Sequence, residues 1–101
     1  MSGPSAAERP QLIRERLHQA LIIEALSVRD DSHHHVGHAG AQAGGGHYHV
    51  TVVSPDFHNQ HRVARHRLIY QAMGDAIRAD CIHALSIEAL TPTEAHATAS
   101  Q

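Results

Sequence analysis

Cysteine is almost missing from this chain. Cys81 is the single one, which excludes an internal disulfide and a metal cage built from the chain's own thiolates. It also suits a reducing, cytoplasmic compartment. Aromatic side chains are nearly as scarce: two tyrosines, one phenylalanine and no tryptophan. Any core must therefore be aliphatic. No apolar run approaches the roughly 18 residues of a membrane-spanning helix, and the start, MSGPSAAERP, does not read as a secretory signal. Positive charge is not in excess either. The formal net charge is −2 with histidines neutral, which gives no general field for a polyanion. Catalytic signatures are missing too. Gly44-Gly45-Gly46 leads into a strand rather than a helix, and there is no serine nucleophile elbow and no HExxH. Nothing here marks an enzyme.

What is abundant is histidine, with 12 in 101 residues. A chain of this length holds one domain. Mild acidification should swing its net charge from slightly negative to clearly positive. The stretch DDSHHHVGHAGAQAGGGHYHV, from Asp30 to Val50, carries six histidines and five glycines with no cysteine or lysine. It can be a metal site, a pH-sensitive loop or a polar tether.

Around it the chain reads as alternating elements. Residues 1–7 are small and polar, a disordered start. Ser5 with Glu8 forms a candidate capping box and Pro10 suits a first helical turn; Ile13, Leu17, Ala20 and Leu21 then keep helical spacing, predicting a helix over about 8–21. EALSVRD and HYHVTVV alternate as strands, joined by a flexible His/Gly-rich loop over 30–47. A loop that long inside a compact domain is functional or disordered. SPDF is a turn. From about Gln60 to Arg78 the pattern is helical, with Val63, His66, Ile69, Tyr70, Met73 and Ile77 as one inward stripe. IHALSIEAL is a third strand, with Leu85 and Ile87 on the core face and His83 in the same parity. TPTE starts a helix, Thr91 capping and Glu94 completing a capping box. The tail over 96–101 is too weak to carry that helix far and reads as disordered. The order is α-β-β-α-β-α, an α+β domain with one small sheet packed on helices.

Several residues can carry chemistry. His33, His34, His35 and His38 are imidazole donors of the kind that ligate Zn, Cu, Ni and Fe, yet a His/Gly loop has no fixed geometry. Asp30 and Asp31 either orient those imidazoles or close the strand. His83 stands at a defined strand position, as a structural histidine or as a rigid ligand that shares a metal with a mobile loop donor. His66 falls on the inward stripe and reads as a buried, hydrogen-bonded histidine. Arg65 and Arg67 point outward; with Arg62 and Arg78 they either solvate the surface or form a basic face for phosphate or for a partner's carboxylate. Cys81 reads as a buried, inert thiol or as a ligand.

The strand ending in Asp-Asp-Ser-His, the His/Gly loop, HYHVTVVSPDF, RVARHRLIY and IHALSIEALTP, in this order and spacing, resemble the BolA family over roughly Leu12 to Glu94. The domain then spans 8–95. The resemblance implies a class II KH-like fold with a three-stranded mixed sheet on helices, but no GxxG loop is present between helices, and the fold relation alone says nothing about RNA. It implies a non-enzymatic partner of monothiol glutaredoxins that shares a [2Fe–2S] cluster, in iron–sulfur trafficking or in iron and redox regulation. The family ligand in the HAL block corresponds to His83. The second family ligand, His or Cys, lies in the loop between the first two strands. With no loop cysteine this chain resembles the His-type branch, and the closest match is His35, with His38 and His33 competing.

The chemistry of such a cluster agrees. A [2Fe–2S] centre takes four ligands, mostly thiolates, and His replaces Cys at one iron in some centres. This chain has at most one thiolate, so the partner must supply cysteine, together with glutathione on its side. Two departures from the family stand out. His58-Asn59-Gln60-His61 replaces a turn that usually holds glycine, and Ala95 stands where a tryptophan is common. Two alternatives remain open beside the cluster adaptor: a DNA-binding transcriptional regulator using the Arg-rich helix, and a His-rich buffer for Zn or another divalent metal that needs only the loop. The expected state alone is a monomer or weak homodimer, with no membrane partner.

Overall fold

A computed structural model describes residues 7–32, 45–78 and 81–99. The elements are helix α1 (Arg9–Ala20), strands β1 (Ala25–Asp30) and β2 (Gly46–Val53), helix α2 (Arg62–Met73), strand β3 (Ile82–Leu90) and helix α3 (Pro92–Ala99). Short 3-10 turns follow β2 at Pro55–Phe57 and α2 at Gly74–Ala76. This is the expected order.

β2 is the centre of the sheet. It pairs antiparallel with β1, from Ala25 opposite Val53 to Asp30 opposite Tyr48, and parallel with β3. The mixed sheet follows from connection length. Antiparallel β1 and β2 need only a hairpin, whereas parallel β2 and β3 require the crossover that α2 provides. Gly46, Tyr48, Val50 and Val52 turn inward and are buried, while His47, His49 and Thr51 face the other side, half exposed. The two strands reach further into the His/Gly stretch than the expected loop bounds of 30–47: Asp30 belongs to β1, and Gly46 and His47 belong to β2. A Cβ on Gly46 would lie 2.6 Å from the Tyr48 hydroxyl oxygen, so only glycine lets that ring fold back over the strand.

α1 buries Ile13 and Leu17, one turn apart. Pro10 sits in its first turn as expected. Glu8 occupies the cap position itself, with no side-chain cap bond, so it is not the third residue of a box; Ser5 lies outside the described residues. α2 is shorter than the expected Gln60–Arg78. Asn59 before it adopts φ 62°, the left-handed region that glycine and then asparagine tolerate best, which explains how the chain dispenses with the expected glycine in that turn. Gly74 at φ 55° ends the helix.

The inward stripe predicted for α2 is only partly right. Ile69 and Met73 are fully buried, but Val63 and Tyr70 are 60% and 42% exposed, His66 is half-buried and Ile77 lies beyond the helix end. The helix rolls so that the Tyr70 hydroxyl donates to the Leu85 carbonyl of edge strand β3 at 3.2 Å. Phe57 is fully buried. Ser54 holds its turn by accepting the Asp56 N–H at 3.0 Å.

α3 starts as the sequence predicts and runs further, to Ala99 rather than ending near 95. The Glu94 N–H donates to Thr91 Oγ1 at 3.2 Å and the Thr91 N–H to Glu94 Oε1 at 2.8 Å, a complete capping box. Arg65 adds a two-point ion pair to the same carboxylate, at 2.6 and 3.2 Å. First that guanidinium, then the Thr91 N–H, draws the Glu94 carboxyl from 4.5 down to about 2. A depressed carboxyl contributes stability that is complete above its ordinary range and lost as pH falls through the folded value. Glu94→Gln should therefore flatten the fall of the urea midpoint between about pH 4.5 and 2. An unchanged acid limb in the variant would show that another carboxylate governs it.

Candidate metal centre

His83 is where parity and structure part. Leu85 and Ile82 are buried, yet His83 and Ala84 between them are both exposed. The register explains it. Gly46 lies opposite Ile82, but the next residue, His47, lies opposite Ala84. His83 is the extra residue of a β-bulge, and a bulge re-aims a side chain. Without it His83 would share the core face with Leu85. With it, the imidazole emerges on the surface.

The ring it meets is His47. The two ring centroids are 5.0 Å apart, tilted by 42°. The His47 backbone is held on both sides: its N–H donates to Ser32 Oγ at 3.0 Å and its carbonyl accepts the Asp31 N–H at 2.8 Å. Ser32 is in turn fixed by donating its N–H to Asp30 Oδ1 at 2.8 Å. Asp31 holds Arg29 through bonds of 2.8 and 3.1 Å. Both acidic residues thus shape the end of β1. Next to Gly46, the Cys81 carbonyl accepts the Gly46 N–H at 2.9 Å, while the Cys81 thiol is buried at 1% exposure, as its inert reading requires.

The remaining candidates fall elsewhere. His33, His35 and His38, with His34, lie outside the described residues. The four arginines do not converge. Arg62 and Arg67 are exposed on α2 but stand roughly 140° apart around its axis. Arg65 was expected to point outward. Its side chain is 14% exposed because it also donates to the Gln60 and Ala89 carbonyls at 2.8 and 3.0 Å and lies 6.0 Å from the Phe57 ring centre. Arg78 sits beyond the helix, its N–H donating to the Ile82 carbonyl at 3.0 Å, at the His83 end of β3. His66 lines a cleft of about 690 Å³ with His49, Arg62, Arg65 and Glu88.

His47 is the residue that sequence reasoning passed over. Its signal was present: alternation with Tyr48 turned it outward, and its place at the start of β2 put it near the start of β3. The bulge that brings His83 to it has no signature in composition or parity.

A family model for BolA-like proteins matches residues 17–94, most of the chain. The chain belongs to the BolA family. Its mouse relative, BolA-like protein 1, is 39% identical over 92% of this chain and 66% of its own length. SufE-like protein 1 of Arabidopsis thaliana, named chloroplastic/mitochondrial, is 40% identical over 85% of this chain, which spans only 24% of that protein. The solved BolA domain of that plant protein superposes with a TM-score of 0.73 at 37% identity, covering 91% of this chain and 99% of the domain. A Haemophilus influenzae relative named DNA-binding transcriptional regulator BolA is 31% identical over 83% of this chain and 78% of its own. Among the described residues of this BolA-family chain, no helix is long and apolar enough to cross a membrane, and no group of three or more metal-ligating side chains converges. Two imidazoles with the thiol buried suit a metal whose other ligands come from elsewhere.

Proposed function

We propose that this chain is a non-enzymatic adaptor that lends imidazole to a [2Fe–2S] cluster whose thiolates come from a monothiol glutaredoxin and its glutathione, in iron–sulfur trafficking or in iron and redox regulation. The observation that carries this is His83, set on the surface by a bulge beside a second imidazole, in a chain whose one thiol is buried. The family resemblance adds His35, His38 or His33 as the second donor. Neutral imidazole in place of anionic thiolate at one iron would raise the potential of such a cluster. Titrating the chain into cluster-loaded monothiol glutaredoxin tests the role. A new visible circular dichroism spectrum that saturates at one chain per cluster supports it, and an unchanged spectrum overturns it.

The Haemophilus influenzae relative named as a DNA-binding transcriptional regulator favours a second reading, DNA binding by the exposed arginines. Arg65 is unsuited to it, being tied to Glu94 and the Ala89 carbonyl. On this reading the Arg62→Glu, Arg67→Glu double variant weakens binding to promoter DNA and lowers the salt slope by roughly two. A wild-type chain that fails to bind such DNA at low salt removes the reading.

A further inference from the structure

We propose that the outer edge of β3, where it borders α2, takes an extended peptide as a fourth strand, with an acidic side chain turned toward α2 and a basic one turned away. This binding is separate from the adaptor role above and does not rest on it.

β3 is an edge strand, so alternate residues turn their N–H and C=O away from β2. The hydrogen bonds identify which. The Leu90 carbonyl accepts the Ser54 N–H on the β2 side at 3.0 Å. The Leu85 and Ala89 carbonyls are met from the opposite side by α2, through the Tyr70 hydroxyl at 3.2 Å and the Arg65 guanidinium at 3.0 Å. Near the start of the strand, Ile77 pairs with Ile82 in a parallel bridge. Ile87 has the parity of Leu85 and Ala89, so its N–H and C=O face outward as well, and no bond joins them to another described residue on that side. The edge is thus covered at Ile82, Leu85 and Ala89 and open at Ile87. Between Leu85 and Ala89 it runs roughly 13 Å, room for about three residues of a paired strand.

The open stretch is also where there is space. Ile87 and Ala89 line the cleft of about 690 Å³, within the range of about 300–1,000 Å³ of ligand sites. An outward N–H and C=O on one residue are matched by a group that offers acceptor and donor at the same spacing, as a peptide backbone does. Charge selects which peptide. Arg62 and His66, one turn apart on α2, line one wall, and Glu88 lines the other, turned to the outer face of the sheet because its parity is opposite to that of Ile87. The side chains of these three make no hydrogen bond or ion pair among the described residues. Arg65, by contrast, is neutralised by Glu94, and α2 holds no acidic residue. Successive side chains of a strand point to opposite faces, so a peptide that alternates acid and base presents acid to Arg62 and base to Glu88 at once. A phosphate chain is negative throughout and meets Glu88 with like charge. A second copy of β3 would bring a second Glu88 and a second α2 to the same edge.

The probe is the peptide acetyl-Val-Lys-Glu-Lys-Val-amide, added to the isotope-labelled full chain at up to about 1 mM, the weak end of specific binding. The Ile87 amide resonance is expected to shift, and its hydrogen exchange to slow about tenfold once peptide is in tenfold excess over its dissociation constant. The Ser86 amide, which faces β2, should hardly change. Methylating the peptide nitrogens one at a time should abolish binding at every second position, as a strand ladder requires. Arg62→Glu should weaken binding roughly tenfold, whereas Arg67→Glu, about 140° round the helix, should leave it unchanged. The exchanged peptide acetyl-Val-Glu-Lys-Glu-Val-amide should bind the Arg62→Glu, Glu88→Lys double variant and not the parent chain, a rescue that loss of fold cannot mimic. Absence of Ile87 protection, or binding indifferent to which nitrogen is methylated, overturns the proposal. Ile87 protection that grows with chain concentration alone overturns it in favour of a second copy. Shifts at Arg62 and His66 with inorganic phosphate but none with the peptide overturn it in favour of an anion site.

Discussion

His83→Ala is expected to abolish the spectral change on mixing with cluster-loaded monothiol glutaredoxin, lowering apparent affinity at least about tenfold. The fold should hardly respond. His83 is exposed on its bulge, and surface substitutions away from packing or caps typically stay within about 0.5 kcal/mol. On the adaptor reading the same change would remove a ligand and leave the partner's cluster one donor short. The comparison that matters is His66→Ala. His66 is half-buried on α2, so its removal changes the histidine count equally while leaving His83 in place. If both variants lose the spectrum to the same degree, histidine content rather than the bulge histidine governs the effect. If neither does, the ligand assignment is wrong.

The parts of the structure that were legible in the sequence are those set by local rules. Alternation in HYHVTVV gives the buried face of β2, because pleating fixes side-chain direction two residues at a time. Thr91 and Glu94 announce their capping box because the two reciprocal bonds need only that spacing. What escaped depends on partners far away in sequence. Arg65 looks like an outward helix charge until β3 and α3 bring the Ala89 carbonyl and Glu94 to it. Val63 and Tyr70 look like core until the roll of α2 is known, and that roll is set by α1 and the β3 edge. The site follows the same division. His83 stood out as a candidate through the family resemblance, but its exposure was not legible, because one extra residue in β3 reverses the parity by which inside and outside are told apart. His47 was overlooked because the density of histidines beside it drew attention to the loop.

Phe57→Ala should cost about 3–5 kcal/mol, the usual range for deleting a buried aromatic ring. Phe57 is fully buried in a cluster with Val50, Val52, Ile69 and Met73, and it is the chain's single phenylalanine. The Arg65 guanidinium at 6.0 Å cannot fill the space the ring leaves: it is held by Glu94 and two carbonyls, and moving it inward would bury charge without its partner. The void should therefore persist rather than collapse. A domain of this size has about 5–15 kcal/mol in total, so the variant sits near the edge of folding, and its midpoint should drop on the order of 20 °C. Val63→Ala, on the exposed face of α2 at 60% exposure, should stay within about 0.5 kcal/mol. Urea unfolding of the pair measures both. A Phe57→Ala cost below about 1.5 kcal/mol would mean that the aliphatic neighbours do close over the ring's place, and that the scarcity of aromatics leaves this core more yielding than its packing suggests.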